Sequence, residues 1–436
     1  MNTTQTTEPI KTGLEKIDAI YNLNTTQTTE PIKTNFVFRN IESYISDRMD
    51  LRYNTVKLCT EYRYRGEDEY QVLSDRENAG IYVDMKEDNL FKFTKSDYEM
   101  YMQSGRIEDF DPYVSYFENL PAWDGEDRIK KLASYVDVEE GDGYYFAVQL
   151  KKWLVRVVKC ALENNYFNKQ VFVFVGETQN TGKTTFCRWL CPPVLKDYYS
   201  EETLKGKDES IQLVSNFLIL YDEMVKLNQT GVEEVKATLS KLKIKFRPPY
   251  ARREQSFNRR CSFMGNTNQS QFLIDETGSA RFLCFLLKKI DFAYSRELNI
   301  DDIYSQAYYL YKSGYNCELT PKELEALTEY NKQFFVKTTE YDMITEYMRP
   351  ATADDEKTTT VIYQWQAGQI VQFLTDNNPA LKINAISAGK ALKFLGFERK
   401  GTKKHGLTKY TYNIVLNHEA VVLRDILKYA RKQKNN

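Results

Sequence analysis

The chain has 436 residues, of which 42% are hydrophobic and 28% charged, and this composition excludes collagen-like, disulfide-stapled and wholly disordered proteins. No run of eighteen apolar residues exists, so the sequence predicts no transmembrane helix and no membrane partner. Seven scattered cysteines and the absence of a signal-peptide pattern indicate a reducing, cytoplasmic setting.

A net charge of −1 conceals a strong segregation of charge along the chain. Residues 61–127 contain 18 acidic and 7 basic side chains, whereas residues 241–260 contain eight basic side chains and one acidic one. Residues 390–436 contain twelve basic and three acidic side chains. The two basic segments predict an anionic partner for the later part of the chain, with a solvated basic surface as the alternative.

The amino-terminal part begins with a duplication. Residues 2–12 and 24–34 are the same string, NTTQTTEPIKT, and this Thr-rich composition predicts a disordered arm. In the aromatic-rich region that follows, Ile41–Met49 has the pattern of an amphipathic helix and Ile81–Met85 that of a strand. The mixture predicts an α+β accessory domain before a helical stretch that begins at Arg128.

From residue 171 onward, short apolar runs alternate with polar loops and helices. The runs Val171–Val175, Phe217–Tyr221, Cys261–Met264 and Arg281–Leu287 are typical of strands that are buried on both faces of a sheet. They predict an α/β core with a parallel sheet. Further on, Thr320-Pro-Lys-Glu323 is a capping box that predicts the start of a helix.

The strongest motif joins a strand to a helix. The run Val171–Val175 leads into a polar loop that ends in Gly-Lys-Thr, the pattern of a phosphate-binding loop (P-loop). Lys183 would reach the β and γ oxygens and Thr184 would bind Mg²⁺. Five residues rather than the usual four separate the two glycines, so Glu177 takes the place of the usual first glycine. The predicted nucleotide contacts are Gly176, Thr178, Gln179, Asn180, Thr181, Gly182, Lys183, Thr184 and Thr185.

Two carboxylates end the next apolar run. Asp222 is the predicted second ligand of Mg²⁺ beside Thr184, and Glu223 is the predicted residue that orients or deprotonates the attacking water. An acidic pair at this place after a P-loop favours hydrolysis over mere nucleotide binding.

Two further candidates follow along the chain. Asn268, after the run Cys261–Met264, is predicted to hold the nucleophilic water, and an Asn-rich turn is the alternative. Arg281 is a candidate arginine finger for the site of a neighbouring subunit, and a structural pair with an aspartate is the alternative.

In combination, these motifs resemble the virulence-associated E family, P-loop proteins of phages and mobile elements that are related to superfamily 3 helicases. The resemblance covers about Phe36 to Leu287 and implies an AAA+-like ATPase core, ATP and Mg²⁺ as cofactors, and a hexameric ring that moves along single-stranded DNA. Only the Thr-rich arm precedes Phe36, so we expect no primase domain here, and a separately encoded primase is a candidate partner. The matching stretches are Leu120-Pro-Ala-Trp-Asp-Gly125, Asp127-Arg-Ile129, Thr181-Gly-Lys-Thr184, Lys245–Arg253, Gly265-Asn-Thr-Asn268 and Asp275–Phe282.

The resemblance also implies a DNA-binding hairpin between the acidic strand and the Asn-rich turn, here residues 241–260. Alternate cations share one face of a strand, and near the tip an aromatic ring can stack on bases while arginines bind phosphates. A solvated basic hairpin is the alternative. The predicted contacts are Lys241, Lys243, Lys245, Arg247, Tyr250, Arg252 and Arg253.

Near its carboxyl end the chain has the pattern of a winged helix, with two short helices followed by a basic hairpin. Lys390 and Lys393 lie three residues apart on one helical face, and Lys403 and Lys404 fall in the proposed wing. Such a domain docks on duplex DNA or, as the alternative, on protein.

The sequence therefore predicts an ATP-dependent DNA helicase that acts in the replication of a phage or mobile element, in the cytoplasm of a bacterial host. One alternative is an ATP-gated initiator or regulator that binds DNA without unwinding it, and another is a small-molecule phosphotransferase. The predicted segments are a disordered arm (1–35), an accessory domain (36–125), a helical collar (126–165), a P-loop ATPase core (166–290), a helical extension (291–349), a linker (350–360) and a winged-helix-like DNA-binding domain (361–436).

Overall fold

The computed structural model describes residues 36–139, 143–176, 178, 180–201, 209–222, 224, 237–248, 253–273, 279–404 and 407–417. These residues belong to two compact units. The smaller unit contains residues 36–55 and 59–110, and the larger unit contains residues 56–58 and the described residues from 111 onward. Within these ranges no helix is long and apolar enough to cross a bilayer.

The smaller unit combines three helices with a four-stranded sheet of order β3-β2-β1-β4, in which only the β1–β4 pair is parallel. Its core is formed by side chains such as Ile41, Tyr62, Met85 and Tyr98. The elements are α1 (Val37–Ser46), β1 (Met49–Asn54), β2 (Cys59–Tyr64), β3 (Gln71–Val72), α2 (Asp75–Asp88), α3 (Lys95–Met102) and β4 (Glu108–Phe110).

The predicted strand at Ile81–Met85 is wrong, because these residues lie within helix α2. The helix begins with a capping box in which the Ser74 hydroxyl accepts from the N–H of Glu77 and the Glu77 carboxylate accepts from the N–H of Ser74. Ile81 and Met85 are four residues apart, so both face the core from one side of the helix.

The larger unit contains a six-stranded sheet of order β5-β12-β6-β11-β8-β7, in which every neighbouring pair except β5–β12 is parallel. The fold is therefore α/β with a mainly parallel sheet, as predicted. Its elements up to the last strand of the sheet are α4 (Pro112–Glu118), α5 (Arg128–Ser134), β5 (Val136–Val138), α6 (Gly143–Leu162), β6 (Val171–Val175), α7 (Lys183–Trp189), β7 (Tyr199–Ser200), α8 (Glu209–Ser215), β8 (Leu218–Tyr221), β9 (Lys243–Phe246), β10 (Gln255–Asn258), β11 (Ser262–Thr267) and β12 (Phe282–Ile290).

Both faces of this sheet are covered by apolar side chains. In the central strand β6, Phe172 and Phe174 point into one cluster with Trp153 of α6, whereas Val171 and Val173 point into the cluster on the opposite face. All five residues of β6 are fully buried. This alternation fixes the register of the strand and therefore the position of the loop that follows it.

The accessory region ends earlier than residue 125, the predicted boundary. Helix α4 belongs to the larger unit, where Tyr113 and Phe117 pack against Phe217. The stretch Leu120–Ile129, one of those that carry the family resemblance, is a loop that leads into helix α5, where Arg128 pairs with Asp124 and the Asp127 carboxylate caps the helix. The contacts described for this stretch stabilise the local fold.

Of the remaining elements, those up to Tyr330 add side chains such as Tyr304 and Leu327 to the cluster that contains Trp153, and those from Thr339 onward form a separate core in the larger unit. Met343, Ile344 and Met348 pack there with Leu392 and Ile414, so this core begins before the predicted linker at 350–360. The elements are α9 (Tyr294–Glu297), α10 (Ile300–Lys312), α11 (Pro321–Tyr330), α12 (Thr339–Tyr347), β13 (Met348–Pro350), β14 (Tyr363–Trp365), α13 (Ala367–Asn377), α14 (Ala385–Phe394), β15 (Arg399–Lys404) and β16 (Leu407–Leu416). Strand β16 pairs antiparallel with β13, β14 and β15.

Candidate functional site

The Gly-Lys-Thr loop lies at the carboxyl edge of the sheet, between strand β6 and helix α7. The N–H of Gly176 donates to the carbonyl of Thr267 at 3.1 Å, which ties the start of the loop to the end of β11. Gly182 ends the loop with φ +89°, a left-handed conformation that glycine adopts without strain. The same glycine is the amino-terminal cap of α7, so the loop turns directly into the helix.

Lys183 turns its ammonium group back into the loop. Its Nζ donates to the carbonyls of Gly176 and Thr178, both at 3.1 Å, and to Oγ1 of Thr181 at 3.3 Å. The side chain is buried, and this burial lowers its pKa while nearby Asp222 acts in the opposite direction. Among the described residues, the hydrogen-bond acceptors of this buried cation are neutral oxygens, and an anion that replaces them would bind it strongly.

Three polar side chains meet beside the loop. The Thr184 hydroxyl donates to Oδ1 of Asp222 at 3.3 Å, and Nδ2 of Asn266 donates to Oγ1 of Thr184 at 3.2 Å and to Oδ1 of Asp222 at 3.3 Å. The Cys187 thiol, whose pKa is raised by burial, donates to Oδ1 of Asn266 at 3.6 Å and so orients the amide. The hydroxyl and carboxylate oxygens are the ligand types that Mg²⁺ takes in proteins.

Lys183, Thr184, Asp222 and Asn266 line a cavity of about 350 Å³. Its lining comes from the loop, the first residues of α7, Asp222 and the end of β11. The arrangement offers a cation, backbone N–H groups and a pair of oxygen ligands around one space, which suits a phosphate chain with a bound divalent cation. The lining residues are Asn180, Thr181, Gly182, Lys183, Thr184, Thr185, Asp222, Asn266, Thr267 and Asn268.

The predicted water-holding residue Asn268 lines this cavity, but Asn266 makes the contacts with Thr184 and Asp222. Asn266 was not among the predicted site residues, because the apolar run Cys261–Met264 suggested a strand that ended earlier. Strand β11 continues to Thr267, which places Asn266 inside it. Of the residues predicted for the nucleotide site, Glu223 and Gln179 lie outside the described residues.

Arg281 lies at the opposite edge of the sheet from the loop. It directly precedes β12, whose first residue Phe282 pairs with Val171 at the start of β6, and the length of β6 is about 15 Å. Its Nη2 donates to Oγ of Ser240 at 3.2 Å. The structure therefore does not bring Arg281 into the cavity of its own chain.

The basic segment 241–260 forms an antiparallel pair, β9 and β10. Lys241, Lys243, Lys245 and Arg247 are exposed, whereas Ile244 between them is buried. Lys241 also pairs with Glu209 at 3.3 Å. Arg253 is exposed as well, and the predicted tip residues Tyr250 and Arg252 lie outside the described residues.

Two arginines of this basic segment have structural roles. Arg259 is fully buried and donates to the carbonyls of Asn168, Leu239, Lys241 and Cys261. Arg260 donates to the carbonyl of Ala161 and forms a two-pronged pair with Asp111. They fix the base of the β9–β10 pair to helix α6 and to the neighbouring connecting segments, and these contacts occupy both guanidinium groups.

The carboxyl-terminal core carries a second group of cations. Lys390 and Lys393 are exposed on helix α14, as are Arg399 and Lys400 on β15 and Lys409 on β16. The guanidinium of Arg399 lies over the ring of Tyr410, 3.7 Å from its centroid. Lys403 and Lys404 lie in β15, and their side chains fall outside the described part of the chain.

Fold and site define an α/β protein with a Gly-Lys-Thr loop at the carboxyl edge of a mainly parallel sheet. A sequence profile of the virulence-associated protein E-like domain matches residues 117–336, which is half of the chain. The chain therefore belongs to this family, and the resemblance seen in the sequence is confirmed. The smaller unit lies outside the matched region.

Several solved structures are similar to this chain at low sequence identity. The apo structure of the NrS-1 C terminal region has a TM-score of 0.49 and 11% identity, covering 88% of this chain and 100% of that one. An A form apo structure of the same region has a TM-score of 0.47 and 12% identity, covering 86% and 98%. SCCmec type IV Cch, described as an active helicase, has a TM-score of 0.36 and 11% identity, covering 86% and 94%. No curated protein matches the chain.

Proposed function

We propose that this protein is an ATP-hydrolysing helicase or translocase that acts on single-stranded DNA in the replication of a phage or mobile element. The observation that carries the proposal is the meeting of Lys183, Thr184, Asp222 and Asn266 around one cavity at the end of the parallel sheet. Membership of the virulence-associated protein E-like family supports it.

In this proposal the loop binds the phosphates of ATP. Lys183 exchanges the carbonyls of Gly176 and Thr178 for phosphate oxygens, and the oxygens of Thr184 and Asp222 hold Mg²⁺, which supplies charge neutralisation at the γ-phosphate. Asn266 positions these two oxygens, and Glu223 orients or deprotonates the attacking water.

The exposed cations of the β9–β10 hairpin bind the strand on which the protein moves. A row of exposed lysines on one strand face suits a DNA backbone, because phosphate charge dominates single-strand binding. Arg281 lies too far from its own loop to contact a nucleotide there, and this position favours action at the site of a neighbouring subunit in a ring, proposed to be a hexamer.

The carboxyl-terminal core is proposed to be a winged helix that docks on duplex DNA. Helix α14, preceded by α13 and followed by the β15–β16 hairpin, has the element order of such a domain, and exposed cations lie on both the helix and the hairpin. A separately encoded primase is the further partner that we propose.

The alternative is an ATP-gated DNA-binding initiator or regulator without unwinding activity. It shares the nucleotide site and the basic surfaces, so the difference between the two functions is strand displacement. A small-molecule phosphotransferase would need an acceptor site, and no motif of the sequence beyond the P-loop indicates one.

ATPase assays with and without single-stranded DNA, followed by strand displacement on a forked duplex, test the proposal. We expect DNA-stimulated hydrolysis and unwinding by the parent protein, loss of turnover in Lys183→Ala, and nucleotide binding with slow turnover in Glu223→Gln. Stimulation without displacement would establish the initiator instead. ATPase activity that DNA does not change would contradict both DNA-linked functions.

A further inference from the structure

One aromatic ring next to the loop has no role in the site described so far. Phe292 follows the end of strand β12, and its side chain is 48% exposed. The ring lies directly against Gly182, because a Cβ built on that glycine would be 2.7 Å from Cζ of Phe292. A half-exposed phenylalanine therefore borders the last glycine of the loop.

The position of this ring is fixed by its surroundings. The carbonyl of Phe292 accepts from the N–H of Ser295 at 3.2 Å and from its hydroxyl at 3.0 Å. The ring stacks on buried Tyr294, with centroids 6.5 Å apart and planes 29° from parallel. Tyr294 in turn packs against Phe186 and Trp189 of helix α7, the helix that the loop begins.

The polarity of the cavity indicates where a nucleobase can go. Every described residue that lines the cavity is polar or glycine, including Asp222, Asn266 and Asn268. A base gains most from an apolar face on which it can stack. Phe292, beside Gly182 and outside the lining of the cavity, offers such a face within the neighbourhood of the loop.

We propose that Phe292 is the stacking platform for the base of the nucleotide whose phosphates occupy the loop. The inference rests on the proposed nucleotide function and adds a residue that recognises the base. It also gives a reason for glycine at position 182 beyond its backbone conformation, since any side chain there would displace the ring. Stacking alone accepts any base, so the platform supplies affinity for nucleosides over bare polyphosphate.

Equilibrium binding of Mg²⁺ complexes of ADP and of inorganic tripolyphosphate to the full chain tests this. Both probes use the phosphate contacts, and only ADP carries a base. We expect Phe292→Ala to weaken ADP binding about five- to 150-fold, the range for the loss of one base–aromatic stack, and to change tripolyphosphate binding less than twofold. We expect Phe292→Trp, in contrast, to bind ADP about as tightly as the parent protein does.

Phe36→Ala is the matched control, because Phe36 is 50% exposed and belongs to the smaller unit. We expect this variant to bind both probes as the parent does. Phe292→Ala with parental ADP affinity, or with equal losses for the two probes, would overturn the platform while leaving the nucleotide function intact. A parent protein that binds neither probe would overturn the nucleotide function and the platform with it.

Discussion

At the scale of single residues, Asn266 is hydrogen-bonded to both oxygens that are proposed to hold Mg²⁺, Oγ1 of Thr184 and Oδ1 of Asp222. It is 2% exposed and donates from one amide nitrogen to both Thr184 and Asp222. Asn268, two residues later, lines the same cavity. The two asparagines therefore differ in what they contact, and substitution separates their roles.

We expect Asn266→Ala to lower kcat for ATP hydrolysis by about 10²-fold, the usual cost of one preorganised polar contact, with a smaller change in KM. Asn268→Ala, the matched control, is expected to retain turnover within about fivefold. Steady-state kinetics with a thermal melt of each variant make the measurement. A larger loss in Asn268→Ala than in Asn266→Ala would support the water-holding role predicted for Asn268.

At the scale of the elements, a partly buried ion pair joins helix α6 to helix α11. Nζ of Lys152 lies 2.7 and 2.9 Å from the carboxylate oxygens of Glu323, which is also the last residue of the capping box at Thr320. Burial by itself would raise the pKa of Glu323, but hydrogen bonds from Lys152 and from Thr320 lower it to about 2. The carboxylate is therefore favoured in the folded state.

Because the folded pKa of Glu323 lies below its ordinary value of 4.5, the stabilisation is complete above that pH and is lost as the pH falls toward about 2. We expect Glu323→Gln to lower the free energy of unfolding by about 1–2 kcal/mol at pH 7, less than the full shift implies because solvent partly screens the pair. The difference from the parent shrinks as the pH falls from 5 to 3.

Urea titrations of parent and variant across this pH range make the comparison. Glu329→Gln is the control on the same helix, since Glu329 pairs with Lys332 at an exposed position and its loss is expected to cost almost nothing. A deficit in Glu323→Gln that stays constant down to pH 3 would show that the charge of the carboxylate is not what stabilises the contact.

Much of the core could be read from sequence because its signals are local. Four apolar runs predicted the strands β6, β8, β11 and β12, and the Gly-Lys-Thr string predicted a loop between a strand and a helix. Strand β6 has the predicted bounds, since Val171–Val175 is apolar at every position and polar residues follow it. Such signals need no knowledge of distant contacts.

The residue roles and elements that the sequence did not predict correctly depend on tertiary contacts. Arg259 and Arg260 look like the other cations of the basic segment, and only the carbonyls of Asn168 and Ala161, remote in sequence, distinguish them as structural. Asn266 was not predicted, because it is a polar residue inside a buried strand, and the prediction of buried strands relied on runs of apolar residues. For Ile81–Met85, the capping box at Ser74 was the available signal for a helix, and the short apolar run obscured it.

At the scale of the whole molecule, the position of Arg281 predicts how subunits depend on one another. If Arg281 acts on the nucleotide of a neighbour, Arg281→Ala and Lys183→Ala are each inactive alone, and a mixture recovers part of the ATPase activity. Recovery follows because some mixed interfaces combine an intact loop with an intact arginine. Arg296→Ala, an exposed arginine on α9, is the control with parental activity.

ATPase titrations of the two inactive variants against each other, at constant total protein, give this measurement. Activity should be highest near equal mixing. Parental activity in Arg281→Ala alone would remove the role across the interface and leave the contact with Ser240 as the function of the side chain.

The two basic surfaces predict a division of labour between single-stranded and duplex DNA. Lys243 and Lys245 are exposed on β9, and Lys390 and Lys393 are exposed on helix α14. Each phosphate contact contributes a slope of about 0.7 to the salt dependence of single-strand binding and about 0.9 to that of duplex binding. A pair of lost contacts is therefore measurable as a change in slope as well as in affinity.

We expect Lys243→Ala with Lys245→Ala to weaken single-strand binding and lower its log–log salt slope by about 1.4, with duplex docking nearly unchanged. Lys390→Ala with Lys393→Ala reverses the pattern, lowering the duplex slope by about 1.8 while DNA-stimulated ATPase activity persists. Lys288→Ala with Lys289→Ala, two exposed lysines of β12, controls for the loss of charge alone. If both test pairs lower both slopes equally, the surfaces form one continuous DNA path rather than two separate sites.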